Sequence, residues 1–160
     1  MRHKNSVSQV NIERDQEIVR LYKIAKGMVG APATIDRICQ IAANLPASKF
    51  YLSDYWAYRY VKDRMNGTTK YFKDHRKQTL YNALYDVFKT LFNKKQNRGL
   101  SIEVIVDMAL EQPAPFIGLS PVTLHKYIRQ RLNIYQYDKA KKQKNSQTHK
   151  LTNSQTHKLT

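Results

Sequence analysis

The sequence predicts an all-α protein, in which two similar three-helix units related by pseudo-twofold symmetry form one compact six-helix body. Two observations carry this prediction. Apolar residues recur at the helical period in six segments, and Gly, Pro or polar clusters separate these segments. Residues 34–61 also align without a gap on residues 101–128, which indicates that one supersecondary unit occurs twice.

Three helices are predicted in the first unit, at about residues 11–66. Asn11, Thr34 and Ser53 are residue types that cap helix N-termini, and each precedes a helical segment. The third helix should end near Gly67, because glycine adopts the left-handed conformation that closes many helices. The predicted core residues of the first two helices are Ile18, Leu21, Tyr22, Ala25, Met28, Ile35, Ile38, Ile41, Ala42 and Leu45.

Three further helices are predicted in the second unit, at about residues 74–132. The first of them is long and covers about 74–95. Ser101 caps the next, and Ser120 followed by Pro121 is a strong start signal for the last. The predicted core residues of this unit are Leu80, Leu84, Val87, Phe88, Leu91, Phe92, Ile102, Ile105, Met108, Ala109, Leu124, Tyr127, Ile128 and Leu132.

The internal repeat has an offset of 67 residues, from Thr34 to Ser101. Its matches fall at the caps, the apolar stripes and the breaking prolines, which are the positions that determine a shape. The identical pairs are Ile35/Ile102, Ile38/Ile105, Ala42/Ala109, Pro46/Pro113, Ala47/Ala114, Leu52/Leu119, Ser53/Ser120 and Tyr60/Tyr127.

The two connecting segments, residues 46–52 and 113–119, are apolar and extended. Exposed, they would favour aggregation. We expect them to meet near the pseudo-twofold axis as a short two-stranded antiparallel ribbon, with Leu52 and Leu119 in one core. The alternative is that each segment packs separately under its own helices.

The chain termini differ from the helical domain, which we place at residues 11–135. Residues 1–10 are predicted to be flexible, and residues 136–160 to be a disordered basic tail of net charge +5. The octamer NSQTHKLT occurs twice, at 145–152 and 153–160, and we interpret it as a duplication without a selected role. The tail residues expected to contact phosphates are Lys139, Lys141, Lys142 and Lys144.

Charge is the largest anomaly of the composition. A formal net charge of +16 and 28 Lys plus Arg against 12 Asp plus Glu produce a field that attracts polyanions. Nucleic acid is the commonest such partner, and we favour duplex DNA. The alternatives are a cationic surface without a specific partner or one that faces an acidic protein, and a homo-oligomer is left open. No membrane association is expected.

The same composition excludes two classes of protein. Cys39 is the one cysteine, so a disulfide scaffold is excluded, and no apolar stretch reaches the length of a membrane span. The first ten residues lack the apolar region of a secretory signal. We therefore expect an intracellular, cytoplasmic protein, with association with a virion as the alternative.

Residues 118–132, GLSPVTLHKYIRQRL, resemble the recognition helix of a helix-turn-helix protein. Ser120 is the cap, and Leu124 and Ile128 face inward. Polar and basic side chains near the N-terminus would then face a groove of DNA. The residues assigned to nucleic-acid binding are Thr123, His125, Lys126, Arg129 and Arg131 here and Tyr58, Arg59, Lys62 and Arg64 in the first unit. We expect the second unit to contribute more.

One departure from the helix-turn-helix pattern favours a different geometry. That motif joins its helices by about 3–4 residues. Ser101 and Ser120 are too far apart for such a short turn, because the Pro-Ala segment lies between the two helices. The alternative is a plain helical bundle with basic solvated faces.

The amino-acid sequence of the repeat also resembles that of a group of small, basic, uncharacterised helical proteins of gut anaerobes and their phages. These carry a duplicated Pro-Ala-x-x-Phe-Tyr-Leu-Ser cassette, whose places are taken here by PASKFYLS at 46–53 and PAPFIGLS at 113–120. The second cassette departs at Gly118, where an aromatic residue is usual. The resemblance covers about residues 10–132 and implies the fold unit and a mobile-element setting, but no activity.

No catalytic or metal-ligating constellation is visible in the sequence. The five histidines lack ligand spacing and the acidic residues are scattered, so we expect neither an enzyme, nor a cofactor, nor a metal site. The prediction is a nucleic-acid-binding accessory or regulatory protein of a mobile element or phage. The alternative is a structural, assembly or adaptor protein, such as a virion component. Tyr51, Tyr55, Trp56, Tyr58 and Tyr60 form an aromatic cluster that suits either base stacking or packing.

Overall fold

The computed structural model describes residues 7–130 and is all-α, as predicted. Contacts divide the chain into two units, Met1–Leu124 and His125–Thr160. The helices are α1 (Val7–Val29), α2 (Ile35–Ala42), α3 (Asp54–Met65), α4 (His75–Phe92), α5 (Ile102–Leu110) and α6 (121–130), and a 3-10 turn (Lys95–Asn97) precedes α5. The six predicted helices are therefore present. Arg131, Leu132, the border at 135, the tail and residues 1–6 lie outside the described residues.

Polar caps start most of these helices where the sequence predicts them, but Ser53, at the cap position of α3, makes no capping hydrogen bond with its side chain. The Thr34 and Ser101 hydroxyls accept hydrogen bonds from the backbone N–H three residues on, and the Ser120 hydroxyl does the same for Thr123. Asp74 caps α4 by accepting from two backbone N–H groups. Each cap satisfies a donor that the first helical turn leaves without a partner.

The start of α1 differs from the prediction. The helix has already formed at Val7, four residues before the predicted cap Asn11, which lies inside it. No proline or glycine interrupts this stretch, and the Gln9 side chain bonds Glu13 one turn further on. Part of the segment predicted to be flexible, residues 7–10, is therefore helical.

The helical stripes form the core largely as predicted. Most of the stripe residues are buried, and others, such as Ile35 and Val87, are half-buried. Met28 is wrongly placed: it is 65% exposed, because the stripe through Ile18 continues at residue 29 and not at 28. Phe92 is also wrongly placed, since it is 42% exposed at the last position of α4, with its ring stacked on Phe88.

The two connecting segments meet, as one of the alternatives predicts. Ala47 and Ala114 form an isolated antiparallel bridge, in which each backbone N–H donates to the other residue's carbonyl over 3.0 and 3.1 Å. These two alanines are equivalent positions of the sequence repeat. A local twofold axis between the two segments would pair each residue with its equivalent, as Ala47 and Ala114 are paired here.

The core residue of each connection is not the one expected. Leu52 and Leu119 are half-buried, whereas Phe50 and Ile117 are both 3% exposed. The Phe50 backbone N–H donates to the Leu110 carbonyl at 2.9 Å, which holds residue 50 against the end of α5, whereas Leu52 directly precedes the cap position of α3.

Gly118 has a structural reason to differ from Tyr51, its equivalent at the offset of 67 residues. Its φ is +81°, a conformation that glycine adopts at little cost. A Cβ atom at this position would also lie 2.8 Å from Cδ2 of the buried Leu80. Both constraints exclude a larger side chain.

Two charged side chains fasten the connections to the helices. The Glu17 carboxylate is buried and accepts from the Ser48 backbone N–H at 2.8 Å and from Arg20 at 2.6 and 2.8 Å. Burial alone would raise the pKa of Glu17, but the hydrogen bonds from Arg20 and Ser48 outweigh it and lower the pKa. The Arg76 guanidinium donates to the carbonyl of Ala43 at the end of α2 and lies 4.4 Å from the centre of the Phe116 ring.

Packing between helices places α3 beside α4 and α5. Helix α1 packs on α2, α4 packs on α5, and α3 lies against both α4 and α5. Helix α3 therefore shares one edge with α4, and the segment 66–74 that joins them lies at that edge. In the part of the chain described here, no helix is both long enough and apolar enough to cross a membrane.

Candidate nucleic-acid interface

Helix α3 presents two of its predicted binding residues to solvent. Arg59 and Lys62 are exposed, and each lies over an aromatic ring: the Arg59 guanidinium is 5.9 Å from the centre of the Trp56 ring, and the Lys62 ammonium is 5.6 Å from that of Tyr58. Arg59 also donates to the Tyr55 hydroxyl at 3.2 Å. Tyr58 is half-buried. This face combines cations with aromatic surface.

Arg64 occupies a different place from the other predicted residues of α3. It is half-buried, and its guanidinium donates to the Tyr60 hydroxyl and to Asn82 Oδ1 at 3.2 and 3.1 Å. Its charge also lies 4.7 Å from the centre of the Tyr85 ring. These contacts hold α3 to α4, so Arg64 has a packing role in addition to any charge it adds to the surface.

A cleft of about 230 Å³ opens beside α3, and we call it the aromatic cleft. Its floor is formed by Tyr60, Phe72 and Tyr81, whose ring centres are 4.8–5.8 Å apart. The exposed indole of Trp56 lines the cleft as well. The remaining lining residues are charged: Arg59, Asp63, Lys70 and Lys77.

A polar network fixes the floor of the aromatic cleft. Gln78 Oε1 accepts from the Phe72 backbone N–H at 2.8 Å, which ties the joining segment to α4. The amide nitrogen of Gln78 donates to the Tyr60 hydroxyl and to Asn82 Oδ1. The Tyr60 hydroxyl in turn donates to Asn82 at 2.7 Å. Because each partner is held by another, the network fixes the side chains that form the floor.

Three cations surround the aromatic surface. The Lys70 ammonium lies 5.4 Å from the centre of the Trp56 ring, and the Lys77 ammonium lies 4.8 Å from that of Phe72. Both lysines and Arg59 are exposed. Burial raises the pKa of the Tyr81 phenol, so this ring stays neutral and adds no negative charge to the floor.

Helix α6, which carries further predicted binding residues, crosses the border between the two units of the chain. Thr123 is half-buried, and its hydroxyl bonds the Ser120 hydroxyl at 2.9 Å, so it belongs to the helix cap. Lys126 and Arg129 are exposed and His125 is half-buried. Arg131 and the tail lysines lie outside the described residues.

Five of the eight residues that line the aromatic cleft were missed by the sequence analysis, Asp63 of α3 among them. Lys70, Phe72, Lys77 and Tyr81 come from the joining segment and α4, and tertiary packing brings them to α3. One sequence signal was available for Tyr81, because this aromatic residue directly follows Leu80, a residue of the predicted apolar stripe of α4. The joining segment has no periodicity that could have placed Phe72.

Comparison with protein-family models, with curated proteins and with solved structures returns no match. Within residues 7–130, no three His, Cys, Asp or Glu side chains come together as metal ligands would.

Proposed function

We propose that this protein binds nucleic acid, with duplex DNA as the favoured form, through the basic residues of α3 and of the aromatic cleft together with those of α6. The observation that carries the proposal is local: Arg59, Lys62, Lys70 and Lys77 are exposed around aromatic rings in a chain of net charge +16. Phosphate neutralisation by such cations releases counterions and drives binding. In this function the protein acts as an accessory or regulatory factor of a mobile element or phage.

The direct test is the salt dependence of binding to a fluorescently labelled duplex. Between about 50 and about 200 mM salt, a protein that makes several phosphate contacts loses a large part of its affinity. We expect micromolar protein to bind at the lower salt concentration and to show this loss. Absence of binding at the lower concentration would refute the proposal.

A pair of charge-removing variants tests the α3 surface. Arg59→Ala with Lys62→Ala should reduce the slope of log affinity against log salt by about 2, because each phosphate contact contributes about 0.9 to it. The matched control is Lys94→Ala with Lys95→Ala, which removes two exposed charges after α4. An equal effect of both pairs would indicate that charge alone, and not this face, matters.

A second candidate is an assembly or adaptor protein without nucleic-acid readout. A groove of about 800 Å³ between α3 and α5 favours it, because this groove is lined by both apolar and acidic residues, including Tyr55, Val104, Glu103 and Asp107. Carboxylates repel phosphates, so a basic, apolar protein segment suits this groove better. Co-purification of one protein partner that survives nuclease treatment would support this function.

A further inference from the structure

We infer that the aromatic cleft receives a single unpaired nucleobase, so that the protein binds single-stranded nucleic acid in addition to duplex. The inference rests on the proposed function and specifies the substrate class of one of its sites. It is carried by the exposed indole of Trp56, the cations beside it and the size of the cleft.

The stacking surface is the Trp56 ring. This residue is 49% exposed, although it lies on the same helix as Tyr60, which is 2% exposed. Tyr55 meets its ring edge-on, with the centres 5.2 Å apart. A large aromatic ring left half open to solvent provides the platform on which bases stack in single-strand binders.

The charges around the cleft fit a nucleotide better than a simple anion. The charges of Lys70 and Arg59 lie over the indole, 5.4 and 5.9 Å from the centre of the ring. Both side chains are exposed, so they can turn aside and meet the phosphates of a strand whose base stacks there. Asp63 is the one acid among the lining residues described. Its carboxylate repels phosphate but accepts hydrogen bonds from the N–H groups of a base.

The size of the cleft limits the ligand to one ring system. Its volume of about 230 Å³ lies below the range of roughly 300–1,000 Å³ that small-molecule pockets span. The network around Gln78 holds the floor in place, so binding does not have to order it. A paired base inside a duplex cannot enter such a cleft, whereas an unpaired or flipped base can.

The two repeat units differ at this position. The equivalent of Trp56 in the second unit is Thr123, whose hydroxyl takes part in the cap of α6. The base-stacking site is therefore assigned to the first unit, while exposed Lys126 and Arg129 of the second suit phosphate contacts. The two functions can be separated by mutation.

The experiment uses the intrinsic fluorescence of Trp56, the single tryptophan of the chain. The full-length protein is titrated with oligothymidylate, with oligouridylate and with a DNA duplex of the same length. We expect saturable quenching by the single strands and little by the duplex, with binding of all three followed in parallel by the anisotropy of labelled strands. Quenching by both single strands indicates recognition of the base, and quenching by one of them indicates a preference for its sugar or for the 5-methyl group that distinguishes thymine from uracil.

The variant Trp56→Ala should weaken single-strand binding about 5- to 150-fold, the range that the loss of one stacked base produces. Binding of the duplex should change little. Lys70→Ala should reduce the quenching affinity more than the control Lys95→Ala, which removes an exposed charge elsewhere. Thermal unfolding of each variant verifies that it is folded.

The outcomes separate the inference from the function on which it rests. If single strands bind by anisotropy without quenching Trp56, or if Trp56→Ala binds them as the parent does, the inference is refuted and the proposed function stands. If neither single strands nor duplex bind, both are refuted.

Discussion

The substitution Gly118→Ala tests how the second connection packs against α4. The new Cβ would lie 2.8 Å from Cδ2 of Leu80, a side chain that is 2% exposed and would have to shift within the core. Overpacking of this kind costs about 1–3 kcal/mol. The positive φ of +81° adds about 1–2 kcal/mol for any residue with a Cβ. We therefore expect the free energy of unfolding to fall by about 2–5 kcal/mol.

The matched control is Gly99→Ala. Gly99 has a φ of +86°, but nothing lies within 4 Å of the Cβ position. This variant should lose only the conformational part, about 1–2 kcal/mol. Alanine also restricts the unfolded chain, but this effect of about 0.4–1 kcal/mol is common to both variants. The difference between them therefore isolates the contact with Leu80.

Urea denaturation followed by circular dichroism measures both free energies. Leu80→Ala removes the clashing atom, so its cost and that of Gly118→Ala should sum to more than the cost of the double variant. If Gly118→Ala is no more destabilising than Gly99→Ala, or if the double variant is additive, the packing described for residue 118 is wrong.

Three further predictions concern buried groups. The lowered pKa of Glu17 in the folded state means that its stabilisation is present above the ordinary value of 4.5 and is lost as the pH falls through the folded value. Glu17→Gln should therefore lower the free energy of unfolding at neutral pH by about 1–3 kcal/mol and flatten its decline in acid, measured by urea denaturation at several pH values. Arg76→Ala should cost about 2–3 kcal/mol and Arg76→Lys less, because lysine keeps the charge but not the planar fork. Melting curves measure this order, and a lower melting temperature for Arg76→Lys than for Arg76→Ala would contradict it. Burial raises the pKa of the Cys39 thiol to about 11, so it should react with a thiol reagent only at the rate of unfolding, and fast labelling of the native protein would contradict its burial.

Local signals account for the parts of the fold that the sequence predicted. A cap such as Thr34 or Ser101 acts within three residues, and the stripe through Ile18 and Leu21 is set by the helical period alone. These features depend little on distant parts of the chain. The meeting of the two connections was predictable for another reason, because the repeat itself relates Ala47 to Ala114.

Features that depend on tertiary contacts were missed. Glu17 lies in α1, where a charged residue is expected to face solvent. It is buried because its carboxylate accepts a hydrogen bond from the backbone N–H of Ser48, 31 residues away in the sequence. Phe72 reaches the aromatic cleft because Gln78 binds its backbone. Neither hydrogen bond produces a periodic pattern in the sequence from which it could be predicted. Arg64 shows the converse: it matches a basic groove-facing position, yet Asn82 and Tyr60 hold it against α4.

The bridge between Ala47 and Ala114 is made by main-chain atoms. Its two hydrogen bonds are therefore compatible with any residue small enough to let the segments approach, and they place no demand on the side chains of the helices on either side. Two copies of one unit joined in this way are free to diverge at their surfaces without loosening the junction. Two differences of this kind are Tyr51 against Gly118 and Trp56 against Thr123. The two similar segments of the sequence therefore present different side chains at equivalent positions.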